Sequence, residues 1–213
     1  MAFDLFRRGV FFNCLLSIFL ISFLGEISLV RAQENDIWKV EEDWELRTYQ
    51  PDPSIYSPQV TFFVTPDSTK SDTYFQLQMN YAADDVFSAG GFHVAAVNNE
   101  NMVDEERSDQ QITLSLPSDT LTWTNVMAVV DGKLMFAVKD GLCQEWGQFG
   151  GPEYLVQIEG SATNNLDQYN YEDSIGNVDI GFGKNRVQMA KLKCVRLFRL
   201  NGSMTTIDLP ESQ

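Results

Sequence analysis

Residues 121–151 read LTWTNVMAVVDGKLMFAVKDGLCQEWGQFGG. Asp131-Gly132 lies between two runs of alternating apolar residues. A D-G pair in that setting marks a two-residue type I′ hairpin, whose central residues both need positive φ. Pairing across the turn sets Val129 opposite Leu134 and Met127 opposite Phe136. Side chains alternate along a strand, so Met127, Val129, Leu134, Phe136 and Val138 share one face, and that face must be covered. The ribbon is predicted to lie in the middle of an antiparallel sheet.

The same alternation extends outward in both directions. Helical periodicity is nearly absent after residue 40, and short apolar runs are broken by Gly, Pro, Asn and Asp. Strands are predicted over 44–49, 59–64, 74–81, 92–97, 111–116, 122–130, 133–138, 154–159, 177–182, 187–200 and 203–209. Asn201-Gly202 supplies a second hairpin turn. Pro51, Pro53, Pro58, Pro66, Pro117 and Pro152 fall between the runs, as ladder hydrogen bonding requires. Residues 98–109 and 162–174 read as polar loops. With no repeat and no linker, the expected fold is all-β, an antiparallel two-sheet β-sandwich of jelly-roll type.

The N-terminus reads as a targeting segment. Arg7 and Arg8 precede an apolar run over 10–24, and Val30-Arg31-Ala32 offers small residues at the two positions a signal peptidase reads. The run is shorter than the roughly 20 residues needed to span a bilayer. The expected division is therefore a signal peptide over 1–32 and one domain over 33–213. The product would be secreted, extracellular or held in the cell envelope, with no membrane insertion after cleavage. The full chain carries a net charge of −15. The leader removes two acids and three arginines, so the remainder is one unit more acidic. Such a surface argues against nucleic acid, whose phosphates are met by clustered Lys and Arg. Cys143 and Cys194 could pair in an oxidising compartment or remain two thiols, and spacing alone leaves both open.

The pattern Trp123-x-x-Val126-x-x-Val129-x-Asp131-Gly132-x-Leu134-x-Phe136-x-Val138-x-Asp140-Gly141 resembles the central hairpin of laminin G-like and concanavalin A-like domains. Three further stretches resemble an uncharacterised domain of secreted bacterial proteins. These are Asp43-Trp44-Glu45-Leu46 with Pro51-Asp52-Pro53 and Pro58-Gln59-Val60; Trp146-Gly147-Gln148-Phe149-Gly150-Gly151; and Gly183-Lys184-Asn185-Arg186-Val187-Gln188 running into Leu192-Lys193-Cys194-Val195-Arg196-Leu197. The resemblance implies a concanavalin A-like sandwich and carries no activity with it.

Several residues are candidates for chemistry. Glu41-x-Asp43-x-Glu45 would line one face of a strand. Laminarinase-type jelly-roll glycosidases use such a row, with a nucleophile, an orienting Asp and a general acid of raised pKa. Here Glu42 and Trp44 replace the aliphatic residues that usually alternate with those acids, and a solvated acidic lead-in is the plainer reading. His93 reads as a strand histidine with an ordinary hydrogen-bond partner; no G-x-S-x-G elbow accompanies it. Asp84, Asp85 and Asp173 offer hard oxygen ligands in loops for Ca²⁺, without a D-x-D-x-D-G motif. Trp146, Phe149, Tyr169 and Tyr171 are the candidate ligand surface, since sugar C–H faces stack on exposed aromatics. The alternative is that Trp146 and Phe149 plug one end of the sandwich. Asn201-Gly202-Ser203 matches an N-glycosylation sequon, but the turn already accounts for it.

The function expected from the sequence is a secreted, non-catalytic binding module for an extracellular glycan or cell-surface protein. A structural or protein-interaction domain of the cell envelope is the alternative, and a glycoside hydrolase using Glu41 and Glu45 is a third.

Overall fold

The computed structural model describes residues 33–49, 59–70, 72–80, 91–107, 114, 116–181 and 187–210. By its contacts the chain divides into Met1–Arg31 and Ala32–Gln213, and every residue described here belongs to the second unit. The strands are β1 (Ile37–Thr48), β2 (Val60–Val64), β3 (Thr73–Met79), β4 (Phe92–Asn98), β5 (Asn101–Arg107) and β6 (Thr120–Val130). They continue with β7 (Lys133–Cys143), β8 (Gly147–Phe149), β9 (Val156–Ile158), β10 (Val178–Ile180), β11 (Val187–Arg199) and β12 (Met204–Asp208). Among the described residues a 3₁₀ turn covers Pro152–Tyr154, and a short helix, α1, covers Tyr171–Gly176.

These strands form two antiparallel sheets. One runs β12-β11-β1-β6-β7-β8, with β9 also paired to β7, and the other runs β10-β2-β3-β4-β5. The protein is an all-β, antiparallel two-sheet sandwich. The 121–138 ribbon takes its expected register, with Met127 opposite Phe136 and Val129 opposite Leu134. Asp131 and Gly132 have φ of 51° and 75°, as a type I′ turn demands. Met127, Leu134, Phe136 and Val138 are buried between the sheets, with Val129 packed against them.

The core is aromatic at its centre. The Trp44 and Trp123 rings stack with centroids 6.3 Å apart, and Phe62 from the opposite sheet meets both edge-on at 4.9 and 5.0 Å. Phe75 and Phe136 stack across the sheets at 5.0 Å. Each such ring removed from water contributes about 1.5–3 kcal/mol, so this cluster sets which faces close on each other.

Three sequence readings need correction, and one cannot be placed. The polar 98–109 stretch holds β5, joined to β4 through Asn99 and Glu100, both at positive φ. Its residues do not alternate because six of the seven are exposed, so no buried face writes a pattern into them. The 162–174 loop contains the start of α1, N-capped by the Asn170 side chain on the Glu172 N–H. The acidic lead-in is no lead-in, since β1 is an interior strand paired to both β11 and β6. The strand expected over 111–116 falls largely outside the described residues, and Leu114 and Leu116 lie in no strand.

Candidate functional site

In β1, Val40, Trp44 and Leu46 point into the core, so Glu41, Asp43 and Glu45 point to the outer face of the seven-stranded sheet. Register then brings three flanking strands to them. Arg196 of β11 lies opposite Glu41, Cys194 lies opposite Asp43, and Thr124 of β6 flanks Asp43 from the other side. Lys139 of β7 pairs with Thr124 one strand further out.

Contacts at the centre are short. The Arg196 guanidinium donates to both Asp43 oxygens, Nη1 at 2.5 Å and Nη2 at 2.7 Å, and its Nε donates to Glu41 at 3.0 Å. Thr124 Oγ1 donates to Asp43 at 2.7 Å. Lys139 and Lys39 both donate to the other Glu41 oxygen, at 2.9 and 3.1 Å. Glu45 is held by Arg47 at 2.6 Å and Lys193 at 3.1 Å. A shallow depression of about 480 Å³ lies over this lattice, lined by Asp43, Thr122, Thr124, Asp140, Lys193, Cys194, Arg196 and Asp208 among others. Beside it, the Lys39 ammonium sits 3.7 Å above the partly buried Phe198 ring.

The electrostatics fix the acids as anions. Burial opposes ionisation of Glu41, but Lys139, Lys39 and Arg196 outweigh it and bring its pKa down to about 2. Burial likewise opposes ionisation of Asp43, overcome by Arg196 and Thr124, and of Glu45, overcome by Lys193 and Arg47. A glycosidase acid must hold its proton near neutral pH, which needs a raised pKa. All three carboxyls shift the opposite way, so the row does not support the hydrolase reading. Its alternating fixed anions and cations form a hydrogen-bonding lattice.

Glu42, between these acids in sequence, faces inward and is 1% exposed. Its Oε2 accepts from Trp44 Nε1 at 2.9 Å and Asn125 Nδ2 at 3.2 Å. Its Oε1 accepts from Tyr169 Oη at 2.7 Å and Ser174 Oγ at 2.6 Å. Asn125 in turn accepts from Trp123 Nε1 at 2.9 Å. One carboxylate therefore satisfies the Trp44 indole, holds the Asn125 amide that satisfies the Trp123 indole, and ties the α1 region to β1.

Of the aromatic ligand surface expected from the sequence, Trp146 and Phe149 are buried and Tyr169 and Tyr171 are half-buried. Trp146 is 5% exposed and Phe149 7%. They pack on each other at 5.5 Å and on Phe92 at 5.9 and 5.4 Å, closing one end of the core. Tyr169 is committed to Glu42, and burial, reinforced by the Glu42 charge, pushes its hydroxyl pKa well above the usual value. Tyr171 packs against the core. Asp84 and Asp85 lie outside the described residues, and Asp173 sits in the first turn of α1. Among the described residues no three of His, Cys, Asp or Glu converge to hold a metal. Cys143 and Cys194 are both free thiols. Cys143 is buried, its Sγ accepting from the Trp146 N–H. Cys194 is on the outer face of β11, with β1 and β6 intervening before β7, about 14 Å at ordinary strand spacing and beyond the reach of a disulfide.

The outer-face partners Arg196, Lys139, Lys193 and Thr124 were not read from the sequence. They come from strands far apart along the chain, and only the register unites them. Glu42 did leave a sign, an acid in phase with the core-facing Val40, Trp44 and Leu46.

No protein-family model matches the chain, and no curated protein is similar to it in sequence. The resemblance to a secreted bacterial domain therefore rests on the quoted motifs alone. Among solved structures, Xenopus laevis galectin-Ib is similar with a TM-score of 0.35 and 9% identity, over 74% of this chain and 96% of that one. Scytalido-glutamic peptidase with a transition state analog inhibitor is similar with a TM-score of 0.27 and 12% identity, over 83% and 77%. SCP-B, a member of the Eqolisin family of peptidases, gives 0.25 and 10%, over 83% and 76%. At these scores the likenesses carry no argument about activity.

Proposed function

We propose that the protein is an exported, non-catalytic binding module whose outer seven-stranded face takes a hydroxyl-rich ligand, a carbohydrate of the extracellular surface. The observation that carries the proposal is the open depression lined by Asp43, Thr124, Lys193 and Arg196, with Glu41 and Lys139 bonded into the same lattice beside it. Each polar group there is oriented by another, which pre-organises it and lowers the ordering cost of binding. Donors and acceptors alternate over a few ångströms. A hydroxyl, which both donates and accepts, matches such a surface. A polyanion would meet Asp43, Asp140 and Asp208, and a polycation would meet Arg196, Lys139 and Lys193. The partly exposed Phe198 flanks the lattice as an apolar surface. Export rests on the segment over 1–32, with Gln33 as the expected first residue of the mature protein.

A glycan array probed with wild type, Lys139→Ala and Lys193→Ala tests the proposal. Lys193 lines the depression and Lys139 lies beside it, both exposed enough for truncation to leave the fold intact. Binding by wild type that weakens in both variants is expected. Absence of binding to any glycan would reject the reading and favour the envelope interaction domain. That second reading draws on Leu142 and Met204, each 53% exposed on this same sheet.

A further inference from the structure

The outer face of the seven-stranded sheet ends in an aromatic cluster beyond Glu41. β1 has one residue more than β11 there, with Ile37 opposite Arg199 and Lys39 opposite Phe198, so Trp38 is a bulge. Bulges re-aim side chains. Lys39 lies on the outer face, where its ammonium donates to Glu41 at 3.1 Å. The same ammonium sits 3.7 Å from the centre of the Phe198 ring and 5.6 Å from that of Trp38, so the three side chains meet on that face. Both rings are half-buried, and neither belongs to the core or packs against it. Met204, opposite Phe198 on β12 and 53% exposed, extends the apolar surface. Trp44, Trp123 and Trp146 are 2%, 2% and 5% exposed, so Trp38 is the one tryptophan of the four that is not buried.

We propose that Trp38, flanked by Phe198 and Met204, is the stacking subsite for one pyranose ring of a neutral, linear oligosaccharide whose following rings lie over Glu41, Arg196 and Asp43. The inference rests on the carbohydrate reading above and adds to it a ligand length and a direction along β1. A pyranose with equatorial hydroxyls presents C–H groups on its faces and hydroxyls around its edge. Its face meets an aromatic ring, and its edge meets fixed donors and acceptors, here Lys39 and Glu41. Lys39, Glu41 and Asp43 take successive outer-face positions of β1, so the rings and the depression are about 13 Å apart. A single sugar does not span that distance, and a short chain of them does.

Cellotriose and laminaritriose titrated into the full chain test the subsite, with glucose and the acyclic polyol glucitol as controls. Tryptophan emission and calorimetry follow binding in wild type, Trp38→Ala, Trp38→Phe and Lys193→Ala, and an unchanged urea midpoint checks that each variant folds. A saturable emission change with at least one trisaccharide is expected, at an affinity about tenfold or more above that for glucose, with no binding of glucitol. Trp38→Ala should weaken binding about three- to tenfold, whereas Trp38→Phe should lose the emission change and keep most of the affinity. Trisaccharide binding that Lys193→Ala weakens and Trp38→Ala leaves intact would overturn the subsite while the carbohydrate reading stands. Glucose binding as tightly as either trisaccharide would overturn the oligosaccharide assignment. Binding of neither trisaccharide would overturn the subsite, and the glycan array separates that result from failure of the carbohydrate reading itself.

Discussion

Two carboxylates one residue apart, Glu41 and Glu42, behave oppositely because strand geometry sends one out to three cations and the other in to four neutral donors. Replacing Glu42 by Leu strands Trp44, Asn125, Tyr169 and Ser174 at once, and a loss of about 2–5 kcal/mol in urea unfolding is expected. Glu42→Gln should cost less, because the Tyr169 and Ser174 hydroxyls can rotate to accept from the new amide. Equal losses for the two variants would contradict the network. Arg196→Ala removes both Asp43 bonds and one Glu41 bond in a half-buried setting, so a loss of about 1–3 kcal/mol is expected. His93 is buried, with Nε2 2.8 Å from Glu105 and Nδ1 3.1 Å from Gln78. Burial lowers its pKa below the ordinary 6.5, and Glu105 only partly offsets this. The folded state therefore binds protons less readily than the unfolded chain. This contribution is fully present above pH 6.5 and drains away as pH falls through the folded value. Glu41, Asp43, Glu45 and Glu105 all shift downward, so their losses begin only below their ordinary values, at or below 4.5. Between those limits a fall in the urea midpoint should be seen in wild type and flattened in His93→Gln. At this scale the sequence identified His93 as a strand histidine with a partner. It could not show which acid met which base, since that depends on register between strands some 150 residues apart, as for Glu41 and Arg196.

Single elements were legible where one face is buried and silent where none is. The β6–β7 ribbon announces its turn, register and inward face, and all three hold. β5, exposed nearly throughout, has no alternation to read. β1 was read as peripheral because it comes first in the domain, yet its two ladders make it interior. Its even-numbered positions spell a core face interrupted by Glu42. Glycine substitutions separate conformational from steric demands. At Gly132, with φ of 75° and open space around it, Ala should cost about 1 kcal/mol through backbone strain alone. At Gly141 an added Cβ would fall on the Phe149 backbone oxygen and ring, so β7 and β8 must separate. Thermal melts should show the Gly141→Ala midpoint falling well below that of Gly132→Ala, and the reverse order would contradict the β7–β8 pairing.

At the scale of the whole molecule, an acidic chain builds a two-sheet sandwich and gathers Lys39, Lys139, Lys193 and Arg196 on one sheet face among acids of nearly equal number. Composition speaks only of net charge and could not reveal that local balance. The aromatics that drew attention in sequence are the large rings that close the core, a role that their glycine-rich surroundings do not distinguish from a ligand platform. The central claim is therefore about which surface binds. Hydrogen–deuterium exchange on wild type with its best-binding glycan tests it most directly. Slowed exchange is expected over 39–45, 122–126 and 194–208, with 144–151 and 169–176 unchanged. Protection confined to 144–151 and 169–176 would contradict the account.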